Sequence, residues 1–321
     1  MTDVPALVEQ ARAGHPRAVA RLISLVENAA PELRAAMAAL APHTGRAHTV
    51  GLTGSPGVGK STSTSALVTA YRRLGRRVGV LAVDPSSPFS GGALLGDRVR
   101  MQEHATDPDV FIRSMATRGH LGGLSWAAPQ ALRVLDAAGC EVILVETVGV
   151  GQSEVDVAAQ ADTTVVLLAP GMGDGIQAAK AGILEIGDVF VVNKADRDGA
   201  DTTVRDLGHM LGLGEARRPG DWRPPIVKTV ASREEGLDEV VEALEKHRAW
   251  LAEGDRLTVR RRRRAAQEIE TIALAALRSR ISDLRGDRHL DALAERVAAG
   301  QLDPYGAADE LVAGLTDDQR A

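Results

Sequence analysis

Cysteine is almost absent from this 321-residue chain: Cys140 stands alone, so one copy forms neither an internal disulfide nor a cysteine-rich metal site. It follows a helix-like segment, 129–139, which suits a small buried hydrophobe better than a reactive thiol. Aromatic residues make up 2% of the sequence and the net charge is −5, which argues against a base-stacking platform and a basic, phosphate-tracking surface. Nucleic-acid binding is therefore not expected. No apolar run reaches the length of a membrane span. Asp3 and Glu9 fall where a secretory signal would be basic and then apolar, so a cytoplasmic protein is the expectation.

What is present is a glycine-rich loop in an informative position. Gly54, Ser55, Pro56, Gly57, Val58, Gly59, Lys60 and Ser61 follow directly on the apolar stretch 48–53, and 61–74 then reads as a helix. Strand, Gly-x-x-x-x-Gly-Lys-Ser loop and helix together make a phosphate cradle. The glycines let successive N–H groups face the phosphates, Lys60 brings a point charge to the β and γ oxygens, and the Ser61 hydroxyl suits Mg2+. Thr62 is grouped with these residues. The helix N-terminus adds its dipole, and the strand and helix framing the loop argue against a plain connecting turn.

Residues 4–41 place apolar side chains at helical spacings, broken at Gly14-His15-Pro16. From 48 to about 232, β-branched runs at 48–53, 78–84, 110–114, 142–147, 163–169, 189–193 and 226–231 alternate with helical stretches. The alternation predicts an α/β fold, a mostly parallel seven-stranded sheet with helices on both faces, and a closing helix at 236–251. The expected organisation is an N-terminal helical extension at 1–45, a P-loop domain at 46–254 and a C-terminal helical extension at 255–321. The run Arg260–Arg264 cannot form a single stripe on a helix. A solvated helix face or an intersubunit contact is the plainer reading, an acidic partner surface or nucleic acid the other.

Three further groups carry chemistry. Strand 142–147 ends in Glu146, where phosphate-loop proteins place the group that senses Mg2+ and the γ-phosphate. Gly149 would approach that phosphate, and 149–152, ending in Gln152, would be a switch. A solvent-facing strand-end Glu is the plainer alternative. At the end of strand 189–193, Asn193-Lys194-Ala195-Asp196 reads as a base reader: the Asp196 carboxylate accepts from two guanine N–H groups that adenine does not offer. Asn193 would tie neighbouring loops together, the Lys194 stem would cover the base, and an amide near Ala231 would meet guanine O6. Between them, Asp84 and Asp97 flank a Pro- and Gly-rich loop suited to Mg2+ and a first switch, although Asp97 alone also reads as a helix N-cap.

The phosphate loop, Asp84-Pro85-Ser86-Ser87, Gly96-Asp97-Arg98, Glu146-Thr147-Val148-Gly149-Val150-Gly151-Gln152, the Pro170–Ile183 stretch and Asn193–Asp196 together resemble the methylmalonyl-CoA mutase-associated GTPases, the MeaB/ArgK group. Pro170–Ile183 is the most specific element of the likeness, which extends over essentially the whole chain. The resemblance implies a homodimeric G-protein chaperone that gates adenosylcobalamin loading of a mutase, methylmalonyl-CoA mutase above all, and protects or reactivates it. GTP/GDP and Mg2+ would be its cofactors and a cobalamin adenosyltransferase a further partner. Intrinsic hydrolysis would be slow and partner-stimulated. By position, Lys60, Asp97 and Glu146 would be catalytic, and Ser61, Asp84, Asp97 and Glu146 would surround the metal. Gln152, Asp174 and Lys180 would belong to switches facing the partner.

Arg98, Arg113 and Arg118 are the arginine-finger candidates. Three alternatives remain open: an ATP-dependent kinase or ATPase of basic amino-acid transport, a nickel-type metal-insertion GTPase, and a scaffold that binds GTP without turnover. Asp196 speaks against the first, and the scattered histidines with a lone cysteine against the second.

Overall fold

The fold is a computed structural model describing residues 3–85, 101–117, 127–147, 160–171, 184–212, 220–285 and 288–317. Seven strands form one sheet: β1 (His48–Thr53), β2 (Val78–Pro85), β3 (Val110–Thr117), β4 (Val142–Thr147), β5 (Thr163–Leu168), β6 (Val189–Asn193) and β7 (Ile226–Thr229). Their order is β3-β2-β4-β1-β5-β6-β7, and every pairing is parallel. β1 and β5 are buried along their whole length because helices cover both faces, which is why they read as continuous β-branched runs.

Among the described residues the α-helices of eight residues or more are α1 (Val4–Arg12), α2 (Pro16–Glu27), α3 (Leu33–Leu40), α4 (Lys60–Arg73), α5 (Ala127–Ala137), α6 (Ala200–Gly212), α7 (Leu237–Ala252), α8 (Arg256–Arg285), α9 (Arg288–Ala298) and α10 (Pro304–Asp317). Pro16 at the first turn of α2 produces the expected break after α1. The N-terminal helices share one core with the sheet: Val8, Leu22, Ile23 and Leu40 cluster with Leu81, Phe111, Met115 and Ile143 and with α5. On the other face α4 and α7 cover β1, β4, β5 and β6 through Leu67, Tyr71, Val240 and Leu244. By internal contacts the chain divides into residues 1–264 and 265–321. Cys140 is buried, and burial pushes its thiol up to about 12.

The arginine run corrects an expectation. Arg262 and Arg263 are exposed, but Arg260, Arg261 and Arg264 turn towards the starts of β5 and β6. Arg260 binds Asp188 at 3.0 Å, Arg261 binds Asp162 at 2.7 Å and Arg264 binds Asp162 at 3.2 Å. These three pair within the chain instead of forming a purely solvated face, because positions i, i+1 and i+4 of a helix fall on one side. Asp162 is only 1% exposed. Burial opposes its charge, yet Arg261, Arg264 and the Thr49 amide outweigh that and hold its carboxyl below the ordinary value.

Beside this network the Thr163 hydroxyl sits between His48 Nε2 at 2.7 Å and His247 Nδ1 at 2.8 Å. Burial lowers both imidazoles to about 4, against the opposing pull of Asp162 on His48 and Asp188 on His247. His247 is fully buried on this part of α7, and the Trp250 ring stacks on it at 5.6 Å.

Candidate functional site

β1 ends at the buried Thr53, and the chain passes through 54–59 into α4. Two glycines are required there by contact and by backbone. Gly54 has φ 141°, and a Cβ on it would overlap the carbonyl oxygen of Leu167 on β5. Gly59 has φ 96° and caps α4, and its Cβ would lie 2.5 Å from Asn193 Nδ2. The loop is thus pressed against the ends of β5 and β6, with the α4 N-terminal amides behind it. Lys60 Nζ donates to Gly54 O at 2.5 Å and Ser55 O at 3.3 Å, so the ammonium lies over the loop. Ser61 is buried at the first turn of α4, whereas Thr62 is exposed.

Glu146 sits opposite Leu52 in the β1–β4 register and is 0% exposed, which excludes a solvent-facing strand end. Its Oε2 accepts from the Thr64 hydroxyl on α4. Thr64 Oγ1 also lies 3.0 Å from Lys60 O. Both partners are acceptors, so the single hydroxyl proton is divided between the Lys60 carbonyl and the Glu146 carboxylate.

The other end of the loop meets the Asn193 motif. Asn193 Nδ2 donates to Val58 O at 2.8 Å, and its Oδ1 accepts from the Ala231 amide at 3.0 Å and Thr229 Oγ1 at 3.1 Å. One side chain therefore ties the phosphate loop, β6 and the turn after β7. Lys194, at φ 57°, donates to Gly57 O at 2.6 Å, placing its stem along the rim of the loop. Asp196 Oδ2 accepts from Arg233 at 3.2 Å. The 54–61 loop and the 193–196 turn thus share one edge of the sheet, the carboxyl ends of the parallel strands.

A profile of the family described as "Methylmalonyl Co-A mutase-associated GTPase MeaB" matches residues 19–285. The chain belongs to the MeaB family. A Pyrococcus abyssi relative carrying a GTPase name is 48% identical over 307 residues, 95% of each protein. GTPase ArgK of Escherichia coli is 38% identical over 257 residues, 78% of this chain and 77% of its own. A solved structure named as a LAO/AO transport system kinase superposes with a TM-score of 0.70 at 26% identity, covering 98% of this chain and 99% of that one.

In this MeaB-family chain the structure brings Lys60, Ser61, Glu146, Asn193 and Lys194 to one edge, with Asp196 and Ala231 beside them. The Ala231 amide, expected to meet guanine O6, is engaged by Asn193. Asp97, Gly149, Gln152, Asp174 and Lys180 lie outside the described residues, as do Arg98 and Arg118. Asp84 is placed by its backbone alone, on β2 opposite Ala116. Arg113 is corrected as a finger candidate: its guanidinium pairs with Glu27 and reaches Ser24 on α2 at 3.2 Å, which makes it a tie to the N-terminal helices. Sequence reading missed Thr64 and Arg233. Thr64 has a signal, four residues after Lys60 on the same helix face; Arg233 has none, since its partner is 37 residues away.

Proposed function

We propose that the chain binds and slowly hydrolyses GTP with Mg2+, and that the nucleotide state gates adenosylcobalamin loading and the protection or reactivation of a cobalamin-dependent acyl-CoA mutase. Methylmalonyl-CoA mutase is the preferred partner, which the family's description supports. A mouse relative named "Methylmalonic aciduria type A homolog, mitochondrial" is 36% identical over 266 residues, which agrees with that direction. The observation that carries the nucleotide part is Asn193, whose amide joins the phosphate loop to the base-reading turn.

In this reading the loop amides and Lys60 hold the β and γ phosphates, and Asp196 selects guanine. The cradle fits Mg2+: the loop backbone closes to contact at Gly54 and Gly59, and the nearby donors, the Ser61 hydroxyl and the Glu146 carboxylate, are hard oxygens. Ser61, with Asp84, Asp97 and Glu146, would surround the ion, whose chemistry is to neutralise charge on the phosphates. Glu146, oriented by Thr64, directs the attacking water, and Gln152, Asp174 and Lys180 relay the state to the mutase. The helices at 255–321 form the homodimer contact, a cobalamin adenosyltransferase is a further partner, and the site of action is the cytoplasm.

The test is GTP hydrolysis with and without purified cobalamin-dependent mutases. Stimulation by methylmalonyl-CoA mutase supports the reading, and its absence with every such mutase overturns the chaperone role. An ATP-dependent kinase is favoured only by the name of the solved relative; equal affinity for ATP and GTP would sink the GTPase reading.

A further inference from the structure

Asp196 and Arg233 lie on two short turns whose backbones are separately held. The Asp196 turn is tied by the Ala195 amide to Thr229 O at 3.0 Å and the Arg197 amide to Lys194 O at 3.0 Å. The Arg233 turn is closed by its own amide to Val230 O at 2.8 Å and by the Val230–Glu235 bridge. Across the gap the Arg233 guanidinium donates to Asp196 Oδ2 at 3.2 Å, with Glu235 Oε1 a further 3.9 Å neighbour.

We infer that Arg233 is a positioning and specificity residue for guanine, acting through the Asp196 carboxylate; this rests on the GTP reading above. A carboxylate has two oxygens and about four acceptor sites. Guanine N1–H and the 2-amino group require one oxygen each, in one plane, from a side chain that otherwise rotates freely. The Arg233 bond occupies a lone pair on Oδ2 that the base does not need. It fixes the plane of the carboxylate. Asp196 and Arg233 are 36% and 59% exposed, so the nucleotide enters without displacing buried structure. A mere surface ion pair of this exposure would have no effect on base choice. Hypoxanthine lacks the 2-amino group and uses one oxygen fewer, so the consequence of losing Arg233 falls on guanine in particular.

The test is equilibrium binding of GDP and IDP to the full-length protein with Mg2+. Arg233→Ala should weaken GDP about fivefold, roughly 1 kcal/mol, and IDP about twofold, so that the preference for guanine narrows. Arg233→Lys should restore part of the loss, and in an Asp196→Ala background Arg233→Ala should add nothing. An unchanged GDP to IDP ratio in Arg233→Ala, or an additive loss in the Asp196→Ala background, overturns the inference. If Asp196→Ala loses GDP while Arg233→Ala binds as wild type, guanine reading stands and Arg233 has no part in it. If Asp196→Ala binds GDP as wild type, both fall.

Discussion

Thr64 on α4 hydrogen-bonds to Glu146 at the end of β4, joining the helix behind the phosphate loop to the buried carboxylate beside it. The bond passes between α4, which begins at Lys60, and the end of β4. It holds the Glu146 Oε2 against α4.

Thr64→Val keeps the shape and removes the donor. Mutase-stimulated GTP turnover should fall about tenfold while GDP affinity stays within about twofold, because only the orientation of Glu146 is lost. Steady-state kinetics beside nucleotide titration separates the two; an unchanged kcat would show that Thr64 is only a packing residue.

Gly54→Ala should destabilise the protein by at least about 2 kcal/mol, since φ 141° is foreign to alanine and its Cβ would overlap Leu167 O. Urea unfolding measures this directly. A Tm and urea midpoint equal to wild type would mean that the loop moves away from β5.

Asp162→Ala leaves Arg261 and Arg264 without their counter-charge at the start of β5. The expected loss is about 3 kcal/mol of unfolding free energy, with little change in GTP affinity, because the network lies at the end of the sheet opposite the phosphate loop. Denaturation without added nucleotide checks the first part and a GDP titration the second.

Stability should fall as pH drops from about 6.5 to about 4, because His48 and His247 take up protons when unfolded but not when folded. Each imidazole whose folded value lies near 4 contributes up to roughly 3 kcal/mol that is fully present above its unfolded value. A second loss follows below the ordinary aspartate range, as Asp162 is protonated through its depressed folded value. Urea midpoints that stay flat between about pH 7 and about pH 4.5 would refute the histidine part.

The local pattern of the chain determined all seven strands, the break before Pro16, the phosphate loop and the Asn193–Asp196 turn. Those features depend on residue spacing: period, glycine at special backbone angles, and motifs within a few residues of a strand end. Only the tertiary structure decided what meets across the sheet. The arginine run became three inward ion pairs because Asp162 and Asp188 lie where β5 and β6 begin. Arg113 became a tie to α2, the Ala231 amide was taken by Asn193, and Thr64 was delivered to Glu146. Such partners are tens of residues apart in the chain. Their pairing follows from strand order and helix placement, which place residues distant in sequence at the same edge of the sheet.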